Sequence, residues 1–334
     1  MDGICTLGND RVYDQIVALI NSIEANGGPQ MPICIFPYDD QTQRLQALAA
    51  DRPEVQLYDD NASIQRWDAF VKAVWATHPT APERWRAAGS QGIHRMGTHR
   101  RLCAFDGPFD RFLYMDADTL LLQSPQRIFD YLNDYDWVTY DFQHKDLSHV
   151  FDGESEWLNK LFSIEQLQQV FCSGFYASRR GMFSPELDGE LLQRLQSGEG
   201  AVLYPMAPDQ TVLNYLVLRS QLRVCNLARH LPVAQRTGNS VTSSHFVTRA
   251  GQGFDGETPL TYLHYIGVSS RLFSTLCRGE NVDFPYREIF LHYRYWHAPE
   301  QQPRLQGPCQ PYQARRWRRW AYGLSKIVYE SLQP

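Results

Sequence analysis

The stretch FLYMDADTLLL, residues 112–122, is an apolar run broken by two aspartates one residue apart. Together with Arg111, its first half reads as a buried strand that delivers Asp116 at its carboxyl end, the usual place for ligands in open α/β sheets. On an extended segment, carboxylates at i and i+2 point to the same side. Asp116 and Asp118 can therefore share one hard divalent cation, and such a cation can hold a diphosphate. Small Ala117 leaves room for a ligand to approach. The spacing alone decides little, because 23 aspartates in 334 residues give roughly 1.6 such triplets by chance. The second triplet, Asp134 and Asp136 in NDYDW, has no apolar strand leading into it and reads as a solvated helix end. Context singles out the first.

Around that strand the chain alternates. GICTL reads as a first strand, and YDQIVALINSIEAN as a helix with apolar residues at Ile16, Leu19, Ile20 and Ile23. After the Gly27-Gly28-Pro29 break come a strand, MPICIF, a helix through QTQRLQALAAD, a short strand, VQLY, and a helix, AFVKAVWATH, stopped by Pro79 and Pro82. This rhythm predicts an α/β fold with a mostly parallel sheet flanked by helices. Further on, WVTYDF and VFCSGFYASR read as strands, and PELDGELLQRLQS and PDQTVLNYLVLRS as helices. LTYLHYIG reads as a strand closing at His264. One domain is expected over residues 1–297. Pro299, Pro303, Pro308 and Pro311 mark a linker that opens a C-terminal segment, 298–334, ending in a basic, aromatic helix.

Composition narrows the function. A chain that is 43% hydrophobic can bury a large core, and a net charge of −5 excludes the basic footprint of a dedicated nucleic-acid binder. The seven cysteines are scattered, odd in number and never in a C-x-x-C pair, which suits reduced thiols in a cytosol. No signal peptide is evident, and no run of 18 apolar residues predicts a membrane-spanning helix. A cytoplasmic protein is expected.

Four more segments carry chemistry. Asn9-Asp10 follows the first strand, where a polar pair can read a nucleotide base or simply form a turn or helix cap. Cys172-Ser173-Gly174 follows an apolar run, and the glycine can admit a ligand close to the backbone or mark a bulge. Asp209-Gln210 open a helix, where Asp209 can also act as a cap. His264 closes an apolar strand ahead of Gly267; such a histidine alone is more often a bonded core residue than a ligand.

In this order, over roughly residues 3–275, these segments resemble glycosyltransferase family eight, which includes glycogenin and bacterial lipooligosaccharide galactosyltransferases. The resemblance rests on Asn9-Asp10, the YMDADTLLL block, the FCSG block, the helix-opening Asp209-Gln210-Thr211-Val212-Leu213-Asn214, and His264-Tyr265-Ile266-Gly267. It implies the GT-A fold, a nucleotide-sugar domain with a central mixed sheet. It further implies transfer of a sugar from a nucleotide-diphosphate donor, UDP-linked by expectation, to a hydroxyl acceptor with retention of anomeric configuration. By the resemblance, Asp116, Asp118 and His264 ligate the metal. Two carboxylates and an imidazole suit Mn²⁺, with Mg²⁺ as the alternative. Asp209 and Gln210 would face the reacting sugar. Asn9, Asp10, Arg101, Ala117, Ser173, Gly174, Gly267 and Arg271 would complete the donor site.

The chain departs from the family at three points. Arg101, with Arg100 beside it, stands where a lysine usual to the family precedes the paired aspartates, which trades a point charge for a planar fork. Cys172 replaces the asparagine before Ser-Gly. Ser269-Ser270-Arg271 replaces Lys-Pro-Trp after His-x-x-Gly, which leaves Arg271 to supply the cation for the phosphates. These changes leave the donor sugar and the acceptor, which could be a lipid-linked sugar, a glycan or a small molecule, unspecified.

The end of the chain, Gln301 to Tyr329, has six basic residues and no acidic one. Trp317, Trp320, Leu324, Ile327 and Val328 recur there at helical spacing. Such a helix over 312–329 can dock on anionic lipid at the inner membrane face, or pack its tryptophans on the catalytic domain. Two other functions fit parts of the pattern: a silent relative that binds nucleotide sugar and regulates a partner, and a sugar nucleotidyltransferase. TLGNDRVYD lacks the Gly-rich basic loop that marks the latter.

Overall fold

Residues 111–115 form the expected strand, and its side chains alternate between two cores. Phe112 and Tyr114 enter a largely aromatic core with Cys5, Leu7, Phe36, Trp137 and Tyr176. Leu113 and Met115 enter an aliphatic core with Ile4, Ile33 and Ile35. A strand covered on both faces reads as a continuous apolar run, as this one does. Each such side chain contributes about 1.5–3 kcal/mol when fully buried.

The computed structural model describes residues 1–312. Its first eight strands are β1 (Asp2–Gly8), β2 (Ile33–Pro37), β3 (Val55–Leu57), β4 (Arg111–Met115), β5 (Thr119–Leu121), β6 (Trp137–Thr139), β7 (Phe175–Arg179) and β8 (Val224–Asn226). All but β5 form one sheet in the order β3-β2-β1-β4-β7-β6-β8. Four of its six neighbouring pairs are parallel; β7 runs antiparallel to both β4 and β6. The sheet is mixed and mostly parallel, with helices on both faces, as predicted. Helix Tyr13–Gly27 buries Ile16, Leu19, Ile20 and Ile23 and stops at Gly28, whose φ of +99° suits glycine and whose N–H donates to Glu24 O at 3.1 Å.

A third core, built on Leu120, Leu263, Tyr265, Phe273, Phe284 and Phe290, lies under the C-terminal part. Here β5 pairs antiparallel with the strand Tyr262–His264, and His264 stands opposite Thr119.

Three local expectations change. The pair Asp116 and Asp118 does not sit on an extended segment: Thr119 donates to Asp116 O through both its N–H (3.0 Å) and its hydroxyl (2.7 Å), which closes a turn. Cys172-Ser173-Gly174 does not follow a strand. It precedes β7, because β7 runs antiparallel and begins where β4 ends. The Pro-rich segment is not free chain throughout, since Gln306–Gln310 forms a strand parallel to Glu280–Val282. The predicted helix of 312–329 lies outside the described residues but for Tyr312. No helix of the described residues is long and apolar enough to cross a membrane.

Candidate functional site

Three segments meet at the carboxyl edge of β4: the turn that follows it, the start of β7 and the end of the strand Tyr262–His264. Asp116 leaves the strand on the same side as Tyr114, whose hydroxyl donates to Asp116 Oδ1 at 3.0 Å. Its N–H donates to Gly174 O at 2.9 Å, which carries the β4–β7 ladder one step past the strand. The turn then brings Asp118 round, and Asp118 O accepts from Tyr265 N at 2.8 Å. His264 arrives from the opposite strand with Nε2 3.3 Å from Asp118 Oδ1.

The result is a cluster of three ligand atoms, from Asp116, Asp118 and His264, all within 4.8 Å of one another. The donor set, two carboxylates and one imidazole, fits a divalent ion of the manganese type. Gly174 also fits this purpose. A Cβ there would stand 2.7 Å from His264 Cε1 and 2.8 Å from Asp116 Oδ2, so only glycine leaves the cluster room.

Charge in the cluster is shared unevenly. Crowding by protein pushes the Asp116 carboxyl above its ordinary range; Arg101 opposes this and the Asp118 charge adds to it. Burial also acts to raise Asp118, but His264 beside it outweighs burial and holds that carboxyl low. The reciprocal effect lifts His264: burial opposes its charge, yet Asp118 and then Cys172 keep it well above the usual imidazole value. A proton on the imidazole does the work of a cation between acidic neighbours.

A second acidic group faces the first across Arg101. Helix Pro208–Arg219 is buried along its whole length except at its last residue, and Asn214 clamps it to the 171–173 segment by reciprocal bonds with Phe171 N (3.0 Å) and O (2.9 Å). Asp209 in its first turn is 2.9 Å from Arg101 Nη2, and the same nitrogen is 3.0 Å from Asp116 Oδ1. Arg101 also donates to Thr98 O (3.0 Å) and Ser173 O (2.5 Å), so one of its five N–H groups is left without a named partner. Burial acts to raise Asp209, but Arg101 foremost, with Arg95 and His99, brings its pKa down to about 2. Gln210 is engaged at both ends: Oε1 accepts from Ser173 N (3.2 Å) and Nε2 donates to His149 O (2.9 Å). Each end keeps one hydrogen-bonding valence. Ser173 Oγ donates to Asp209 Oδ2 at 3.3 Å.

Asn9 and Asp10 sit at the carboxyl ends of β1 and β2, but their side chains are committed locally. Asn9 caps the following turn through Arg11 N and donates to Asp39 Oδ2 at 2.8 Å. Asp10 accepts from Arg44 N and Leu45 N at the start of helix Gln43–Asp51. Ala117 is buried at the turn. Gly267 adopts φ +81°, and Arg271, in the first turn of helix Ser270–Cys277, is exposed with no ion pair among the described residues. Arg100 turns away to Asp68 and Pro37 O.

Sequence reasoning missed two groups. Asp141 follows β6, accepts from Gln143 N (2.7 Å), Thr139 Oγ1 (2.7 Å) and Cys172 N (3.1 Å), and lines a cavity of about 440 Å³ beside His264. Burial, partly offset by those bonds, pushes its pKa up to about 6. An aspartate directly after an apolar strand, TYD, carries the same local signal as YMD. Arg95 has no such signal. It is exposed, holds a left-handed φ of +53°, and its charge helps keep Asp118 and Asp209 ionised.

No protein-family model matches the chain, and no curated protein matches it. Solved structures do. WbbM, a bifunctional glycosyltransferase in its apo form, superposes with a TM-score of 0.55 at 15% identity over 91% of this chain and 52% of its own. An active-site mutant of LgtC superposes with a TM-score of 0.50 at 17% identity over 87% of this chain and 100% of its own. This chain thus spans about half the length of WbbM and the whole of LgtC. The fold is the GT-A fold of glycosyltransferases.

Proposed function

We propose that this chain is a metal-dependent retaining glycosyltransferase of the family-eight kind, which moves a sugar from a nucleotide-diphosphate donor, UDP-linked, to a hydroxyl acceptor. The observation that carries the reading is the convergence of Asp116, Asp118 and His264 from distant parts of the chain onto one point at the sheet's carboxyl edge. WbbM and LgtC share the fold, which supports the same reaction class.

Asp116, Asp118 and His264 would hold the ion, Mn²⁺ first and Mg²⁺ second. Bound there, it would supply Lewis-acid neutralisation of a departing diphosphate. The rest falls to the protein. Asp209, ionised at any physiological pH, faces the reacting sugar and favours positive charge at its anomeric carbon. Arg101 keeps Asp209 and Asp116 at fixed separation. Gln210 positions Ser173 and His149 while offering its remaining valences to the sugar. Exposed Arg271 and Arg95 would supply cations to the phosphates. The 312–329 tail would hold the enzyme at anionic membrane, and liposome binding that survives truncation at Pro311 would rule that out.

Donor hydrolysis tests the reaction. Incubation with UDP-sugars and Mn²⁺ should release UDP slowly without acceptor, and release should cease with EDTA and in Asp118→Asn. Nucleotide binding with no turnover of any sugar donor would identify a silent relative instead.

A further inference from the structure

Two indoles tie the segments that carry Arg101 and Asp209 to a second cavity. Trp75 Nε1 donates to His99 Nε2 at 3.1 Å. That leaves His99 Nδ1 to donate to Met96 O at 3.1 Å, within the 3-10 helix Met96–Phe105 that carries Arg101. Trp85 Nε1 donates to Pro205 O at 2.8 Å, three residues ahead of the helix that carries Asp209. The two rings meet edge to face, with centroids 5.1 Å apart. Each indole thus spends its one polar atom on a segment that delivers a member of the Arg101–Asp209 pair.

Trp75 and Trp85 also line a cavity of about 370 Å³, between helices Asn61–Ala76 and Ala81–Ala87 and the loop 90–93. Pro82 and Ile93 extend its apolar wall, and Lys72 and Arg86 are exposed in its lining. Among the described residues neither cation makes an ion pair; Arg86 Nε donates only to Pro82 O, at 3.3 Å. A mostly apolar cavity of this size with a few polar groups is the usual form of a small-ligand site. Indole walls with two unpaired cations suit a molecule with an apolar body and an anionic head. This cavity shares no lining residue with the one beside His264.

We propose that the Trp75–Trp85 cavity is an effector site for a single lipid-like molecule with a phosphate head, held by Lys72 and Arg86. Its volume takes the end of one chain, not a bilayer face. A chain end packed on the indoles moves or stiffens them, and their N–H bonds carry that to the segments of Arg101 and Asp209. The coupling rests on the reaction proposed above; the site itself does not.

The test is calorimetric binding of octyl phosphate to the full chain, with inorganic phosphate and octanol as head-only and chain-only probes. One saturable site is expected for octyl phosphate, with each partial probe about tenfold weaker or more. The double variant Lys72→Gln, Arg86→Gln should weaken octyl phosphate about tenfold, with the melting midpoint and donor hydrolysis of the unliganded chain unchanged. Octyl phosphate should shift UDP-sugar affinity in Mn²⁺ about fivefold, and UDP-sugar should shift octyl phosphate affinity by the same factor. No saturable binding, or equal binding by the double variant or of either partial probe, overturns the site. Saturable binding that leaves UDP-sugar affinity unchanged overturns the coupling alone. A chain that binds octyl phosphate but no UDP-sugar overturns the coupling together with the proposed reaction.

Discussion

The two carboxyl edges of the sheet start from the same sequence signal and end differently. After β1, Asn9 and Asp10 follow an apolar strand, and both side chains are consumed by structural contacts: the turn at Arg11, Asp39, and the first N–H groups of helix Gln43–Asp51. After β4, Asp116 and Asp118 follow an apolar strand too, but their partners are side chains: Arg101, Tyr114 and His264. Carboxylates spent on backbone N–H groups stabilise local structure. Carboxylates that face other side chains across a gap are available to a ligand. The difference lies in what the rest of the chain brings to each edge.

Breaking the β4 edge should abolish function. Asp118→Asn leaves His264 without its carboxylate partner and should lower donor turnover by about a thousandfold, by analogy with the loss of preorganised charge stabilisation. Arg101→Ala should be nearly as severe but act on stability. Its side chain is only 4% exposed, and removing it strands Asp116 and Asp209 together, at a cost of about 3–5 kcal/mol in urea unfolding. A loss below about 1 kcal/mol would mean that the two acids do not depend on it.

The cavity wall offers a pH test. Burial raises the Asp141 pKa from its ordinary 3.8 to about 6 in the folded chain, so the folded chain binds more protons than the unfolded chain between those values. Stability from this group is present in full below about pH 4 and declines as pH rises through 6. Relative to Asp141→Asn, the wild type should therefore lose roughly 2 kcal/mol between pH 4.5 and 7. A constant difference would remove the buried-acid account.

Breaking the β1 edge should matter least. Asp10→Ala should cost about 1 kcal/mol, the worth of a lost helix cap, and leave the nucleotide affinity unchanged. A large loss of nucleotide binding would put Asp10 back into the donor site.

Much of the fold was legible in the sequence, because apolar periodicity marks strands such as 111–115 and helices such as 13–27. Strand direction was not. FCSG reads locally as the end of a strand, and only the antiparallel course of β7 makes it a beginning and puts Gly174 against Asp116. The converging Asp116, Asp118 and His264 were legible as an ordered set, although the turn that aims Asp118 depends on Thr119, whose hydroxyl bond to Asp116 O has no pattern of its own. Asp141 escaped notice because a single aspartate after a strand has no spacing to mark it. The bridging of Asp116 and Asp209 by Arg101 joins residues about a hundred positions apart, which no local reading can supply.

The most direct measurement is thermal denaturation of the full chain with UDP, GDP, CDP and ADP, each with and without Mn²⁺. The site built by Asp116, Asp118 and His264 predicts stabilisation by UDP that requires the metal. Equal shifts with and without Mn²⁺, or no response to any nucleotide, would contradict it.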